Sequence, residues 1–148
     1  MKRLVLSALL FLTGVAYACG PRSRSNEPER RKAVTGEAVD AVLGVQVRDG
    51  IEFSFRVTNN TPRKLELLFT SGQTHDFVVL DSLGREVWRW SAGRMFTQAL
   101  QNRIVESTAS LSWQAAWRYE VPPGRYVAIA TLLSENKPLE ERVEFEVR

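Results

Sequence analysis

The sequence predicts an all-β chain, an antiparallel β-sandwich of about eight strands. Three observations carry this. Apolar residues alternate with polar ones over strand lengths, as in Ile51, Phe53, Phe55 and Val57 against Glu52, Ser54 and Arg56. Gly, Pro, Asn, Asp and Ser interrupt these runs at near-regular spacing. No gap between interruptions holds the dozen or more residues that a parallel crossover takes, so βαβ units are excluded. A barrel remains as the other solution. The sandwich is preferred because residues 77–80 and 127–132 are apolar on both faces for part of their length.

The chain divides into three parts. Residues 1–18 read as an export signal: a basic start with Lys2 and Arg3, an apolar run over 4–12, and small Ala16 and Ala18 before Cys19. The run falls well short of the ~20 residues of a membrane-spanning helix. Ala16-x-Ala18 suits ordinary signal peptidase. The same stretch resembles a bacterial lipobox, with Ala16 and Tyr17 where Leu and a small residue are usual, which implies a diacylated Cys19. Lipidation is the expectation, because the only cysteine of the 148 residues stands at the one place where it is required. Residues 19–37, rich in Pro, Ser and alternating charge, read as a disordered tether. Residues 38–148 form the domain.

Within the domain the elements follow in order. Val39, Ala41, Leu43, Val45 and Val47 give a first strand ending at Arg48, with helical character left open over 37–43. Asp49-Gly50 is a hairpin turn, and residues 51–57 are the clearest half-buried strand. Asn59-Asn60-Thr61-Pro62 turns the chain into a third strand carrying Leu65, Leu67 and Phe69. Residues 77–80 form a short central strand. It returns through Asp81-Ser82-Leu83-Gly84 to 86–90, where Trp88 and Trp90 share a face. After a loop at 91–94, Met95, Phe96, Ala99 and Leu100 fit an irregular strand or one helical turn, the strand being favoured. A turn at 106–109 precedes a strong strand with Leu111, Trp113, Ala115, Trp117 and Tyr119 on one face. Pro122-Pro123-Gly124 leads into the apolar strand 126–133. Residues 134–138 turn it into the last strand, with Val143, Phe145 and Val147 inward.

Composition excludes more than it names. The formal charge of +3 falls to about +1 without Lys2 and Arg3, leaving no concentrated basic face for nucleic acid. One cysteine excludes an internal disulfide and a thiolate metal cluster. His75 is the only histidine, and a metal site on it needs carboxylates. Asp76 points the other way in an extended chain, and Asp81 is the remaining candidate. A nucleophile–base set would join Ser71 or Ser91 to His75 with Asp76 or Asp81, yet no nucleophile elbow supports it. The carboxylate pairs Asp76 with Asp81, and Glu140 with Glu141, read as a strand edge and a solvated turn. The glycines stand singly, so there is no phosphate loop. An enzyme is not expected, nor a cofactor or metal.

Binding is the reading that remains. Trp88 and Trp113 are expected to fill the core. Trp90 and Trp117 divide between core and groove, with Arg89 and Arg118 placed for cation–π contact. Sandwich loops carry binding, and the candidates are residues 70–76 and 90–97. The second offers Arg94, Met95 and Phe96 to a partner, with Gln73, His75 and Trp90 beside them if both loops lie at one end.

Several blocks carry a family resemblance. They are Val57-Thr58-Asn59-Asn60-Thr61, residues 67–79 around Ser71-Gly72-Gln73-Thr74-His75-Asp76, and Gly84-Arg85-Glu86-Val87-Trp88-Arg89-Trp90-Ser91. Met95-Phe96-Thr97-Gln98-Ala99, Trp117 and Pro123-Gly124-Arg125-Tyr126 follow in the same order. Together, over about residues 45–133, the chain resembles the Bacillus intracellular proteinase inhibitor (BsuPI) family. That resemblance implies an immunoglobulin-like sandwich and a protein partner, a subtilisin-like serine protease. The export signal moves the expected site of action to the cell envelope, with a lipid anchor through Cys19 rather than free secretion. The alternative is a structural or adaptor domain of an envelope lipoprotein, with Trp90, Met95 and Phe96 packed inward.

Overall fold

The computed structural model describes residues 38–118 and 120–148. The export signal, Cys19 and the tether over residues 19–37 lie outside the described residues, as does Tyr119. Nine strands and no helix are present among those described: β1 (Val39–Val47), β2 (Ile51–Asn59), β3 (Leu65–Phe69), β4 (His75–Asp81), β5 (Glu86–Arg89), β6 (Gln101–Val105), β7 (Ser110–Trp117), β8 (Gly124–Leu132) and β9 (Leu139–Val147). Every pairing is antiparallel.

The strands form one sheet in the order β1-β2-β7, a second in the order β5-β4-β8-β9, and a separate β3-β6 pair. The two larger sheets face each other through aromatic rings. Phe53 and Phe55 of β2 meet Phe77 of β4 with ring centroids 5.9 and 6.4 Å apart. Strict alternation along β2 buries Ile51, Phe53, Phe55 and Val57 and leaves Glu52, Ser54 and Arg56 in water. From the other side come Phe77 and Val79 of β4 with Ala128, Ala130 and Leu132 of β8. Each large side chain so buried contributes about 2–3 kcal/mol by leaving water. This is an all-β sandwich with immunoglobulin-like character.

Two local devices lock the layers. Tyr126, buried at the start of β8, donates its hydroxyl to the Pro122 carbonyl at 2.7 Å, the corner contact common in such sandwiches. Asn59, wholly buried at the end of β2, points its amide nitrogen at the carbonyls of Arg63, Val105 and Glu106 within 2.8–3.1 Å. Its oxygen accepts from the Thr61 amide and hydroxyl. One side chain thus closes both the β2–β3 turn and the end of β6.

Some expectations need correction. Residues 39–47 are strand throughout, with no helical turn, and β1 ends at Val47. No strand forms around Met95, Phe96, Ala99 and Leu100. That stretch is loop, and the strand is Gln101–Val105. Met95 and Leu100 are apolar but face water, so they gave a core signal without a core. Glu140 and Glu141 lie within β9 rather than in a turn. Asp76 is not at a sheet edge: β4 runs between β5 and β8.

Candidate functional site

Two connections meet at the His75 end of β4. One, residues 70–74, joins β3 to β4, and His75 and Asp76 belong to the strand rather than to this loop. The other, residues 90–100, joins β5 to β6. A backbone bond from Gly72 N to the Thr97 carbonyl, 2.8 Å long, ties them together. The approach is close enough that a Cβ on Gly72 would sit 2.7 Å from Thr97 Oγ1. A side chain at 72 would therefore push the Thr97 side chain aside.

His75 and Asp76 point to opposite sides of an extended strand and anchor the second loop twice. Asp76 works through hydrogen bonds. Its Oδ1 accepts from the amides of Phe77 (2.9 Å) and Ser91 (3.1 Å). Its Oδ2 accepts from the Ser91 hydroxyl (2.7 Å) and from Arg89 Nη1 (2.9 Å). A buried carboxylate is costly unless it is paired and hydrogen-bonded in this way. Arg89 also grips Glu86 through two bonds. The Arg89 bonds hold the Glu86 carboxyl below its usual range, while Glu86 first and then Asp76 keep the guanidinium protonated.

His75 works through ring contacts, tilted against the two indoles and edge-on to Phe77. Its ring lies 4.3 Å from Trp90, 5.3 Å from Trp113 and 5.6 Å from Phe77, centroid to centroid. Only 8% of the residue is exposed. Burial pushes the imidazole down to about 4, against the pull of Asp76 and with the help of Arg94. It is therefore neutral near pH 7. Nδ1 meets the Thr74 hydroxyl at 3.2 Å, and the buried Nε2 has no partner.

Trp90 in turn carries the loop. Gly93 adopts φ +73°, a left-handed conformation natural to glycine, and folds the chain back over the indole. The Arg94 guanidinium lies 4.5 Å from the Trp90 ring centroid, and its Nε donates to the Trp90 carbonyl at 2.8 Å. Phe96 approaches the same indole at 5.7 Å. Between them Met95 is 99% exposed, and Leu100 further along is 81% exposed.

The geometry brings Gln73, Trp90, Arg94, Met95 and Phe96 to one end of the sandwich. His75 lies beneath that surface, not on it, because two indoles cover its ring. Met95 does not pack inward, which removes a premise of the adaptor reading. All four tryptophans join the core or pack against it, and Trp117 is the most buried. Trp88 stacks on Phe53 and Trp117 at 5.2 and 6.0 Å. Among the described residues the cation over an indole is Arg94, while Arg89 is engaged by Glu86 and Asp76, and Arg118 pairs with Glu52 at 3.7 Å.

The catalytic arrangement does not form. Ser91 donates to Asp76, Ser71 accepts from the Gln73 amide, and neither bonds to His75. Asp81 sits at the far end of β4, where Arg85 and Leu83 hold its carboxyl below the usual range. No metal-binding cluster occurs among the described residues. The bracing roles of Asp76 and Asn59 escaped sequence reasoning. Partners of these two lie 15 and 46 residues away, and the sequence places Asp76 in a loop and Asn59 in a turn, where a polar side chain gives no sign of such partners.

A family model described as an intracellular proteinase inhibitor, BsuPI, matches residues 41–137, a span that contains both loops and every residue of the site. The chain belongs to that family. Members of the BsuPI family are inhibitors and not enzymes, in keeping with a non-catalytic domain. No curated protein matches the chain in sequence. Among solved structures, it is similar to a structural-genomics target protein at 8% identity and TM-score 0.41, covering 74% of this chain and 84% of the other. It is also similar to a Bordetella pertussis protein given the name ApaA, at 14% identity and TM-score 0.37, covering 74% and 89%. A β-glucosidase from Erythrobacter marinus follows at 17% identity and TM-score 0.33, covering 72% of this chain and 15% of that one. Likenesses this distant carry no argument about function.

Proposed function

We propose that loops 70–74 and 90–100 form a protein-binding surface through which the domain inhibits a subtilisin-like serine protease at the cell envelope. The observation that carries this is the contrast within the second loop. Met95 stands almost wholly in water, while the residues on either side are held by stacking and hydrogen bonds. Preorganisation of this kind lowers the ordering cost of association. Membership of a proteinase-inhibitor family supports a protease as the partner.

The export signal and Cys19 favour the envelope over the cytoplasm as the place of action, with a diacyl anchor holding the domain at a membrane. Changing Cys19→Ser is expected to move the protein from the membrane fraction to the soluble one. An unchanged distribution would remove the anchor.

Binding is tested by calorimetry of the full chain with a subtilisin-like protease whose active-site serine has been replaced by alanine. A one-to-one complex is expected, weakened about tenfold or more by Phe96→Ala. No heat of binding to any such protease would overturn the reading.

A further inference from the structure

We infer that Met95 is the residue this domain inserts into its partner, entering the apolar primary pocket of a serine protease, with Met95–Phe96 as the bond presented to the active site. This rests on the inhibitor reading above and names its reactive residue. Three observations lead to it.

The first is direction. Arg94 and Phe96 both turn back onto the Trp90 indole, at 4.5 and 5.7 Å, while Met95 between them is 99% exposed. In–out–in over three residues is the side-chain alternation of an extended backbone. Residues 94–98 nevertheless belong to no strand. A segment outside any strand, with its side chains alternating about Met95, suits a protease cleft, which pairs with a bound chain's backbone and seats alternate side chains.

The second is support. A lone exposed methionine needs no explanation on a mobile loop. Here the backbone on both flanks is pinned: the Arg94 amide donates to the Ser91 carbonyl at 3.0 Å, and the Thr97 carbonyl accepts from the Gly72 amide at 2.8 Å. Below them His75 is buried beneath Trp90 with an unpartnered Nε2. The apolar tip is held out on purpose-built footing, which suits a concave apolar pocket. An acidic primary pocket, made for Lys or Arg, would gain little from a thioether.

The third is what the footing does to cleavage. In an attack, the protease serine oxygen bonds to the Met95 carbonyl carbon. Its proton passes through the enzyme's own base to the Phe96 nitrogen as the Met95–Phe96 bond breaks. The new Phe96 amine cannot diffuse away, because Phe96 remains against Trp90 and Thr97 remains bonded to Gly72. It stays beside the acyl-enzyme and attacks it, returning the proton to the enzyme's base and the serine oxygen and restoring the peptide bond. The effective molarity of an amine so held outcompetes water. The domain then acts as an inhibitor and not as a substrate.

The test is the inhibition constant of the full chain against a subtilisin-like protease with an apolar primary pocket, at pH 7.5. Met95→Asp is expected to weaken inhibition about 100-fold or more, and Met95→Leu to change it by less than about tenfold. Leu83→Asp, at another exposed apolar site on the β4–β5 turn, is expected to leave it unchanged. Met95 touches no core residue, so circular dichroism should show all three variants folded. On long incubation, mass spectrometry should find a slow product beginning at Phe96. Inhibition that survives Met95→Asp, or cleavage first at another bond, would overturn this assignment while leaving the inhibitor reading standing. Absence of inhibition by the wild-type chain would remove both.

Discussion

His75 shows how a single residue joins stability to the site. Its imidazole sits under Trp90 and Trp113 and is pushed from the ordinary 6.5 down to about 4, chiefly by burial. Between those values the unfolded chain binds a proton that the folded one refuses. Stability from this residue is therefore full above pH 6.5 and is lost as pH falls toward 4. The slope is up to about 1.4 kcal/mol per pH unit. Replacing His75→Phe keeps a stacking ring and removes the proton. The urea midpoint of the wild type should drop between pH 7 and pH 4.5, and that of the variant should drop clearly less. Equal drops in the two proteins would show that other groups carry the acid sensitivity. Asn59 works differently, gathering three carbonyls and an amide with no change of charge.

At the scale of elements, the braced loop depends on Asp76. Its carboxylate joins β4 to the last residue of β5 and the start of loop 90–100. Asp76→Ala leaves the Ser91 amide without its partner and Arg89 with only Glu86, at a cost of about 2–3 kcal/mol. Because the damage is local, amide hydrogen exchange of residues 90–94 should speed up far more than that of β8 and β9. Uniform acceleration over the whole chain would mean that Asp76 supports the core and not the loop. The alternating strands were legible in advance because burial on one face repeats every second residue, as along β2 and β9. β6 was not, since Asn102, Arg103 and Ile104 are all exposed and only Val105 reaches the core. The nearby apolar Met95 and Leu100 drew the strand a few residues too early. The two loops were legible as candidate surfaces because sandwich loops carry binding and the second holds Arg94, Met95 and Phe96. Their bracing was not, because it runs through contacts between residues such as Asp76 and Ser91 that no local pattern connects.

For the whole molecule, a rigid sandwich presents two loops at one end and keeps its polar chemistry structural. Asp76 is saturated with hydrogen bonds, and His75 is neutral and covered. What remains for function is shape: an apolar tip on a fixed base, in a chain of a proteinase-inhibitor family. The most direct measurement is therefore a titration of a subtilisin-like serine protease, at fixed enzyme, with the purified full chain, followed by gel analysis of the chain itself. Saturable inhibition near one equivalent, with the chain still intact, is the predicted result. Undiminished protease activity, or steady digestion of the chain as a substrate, would contradict the account.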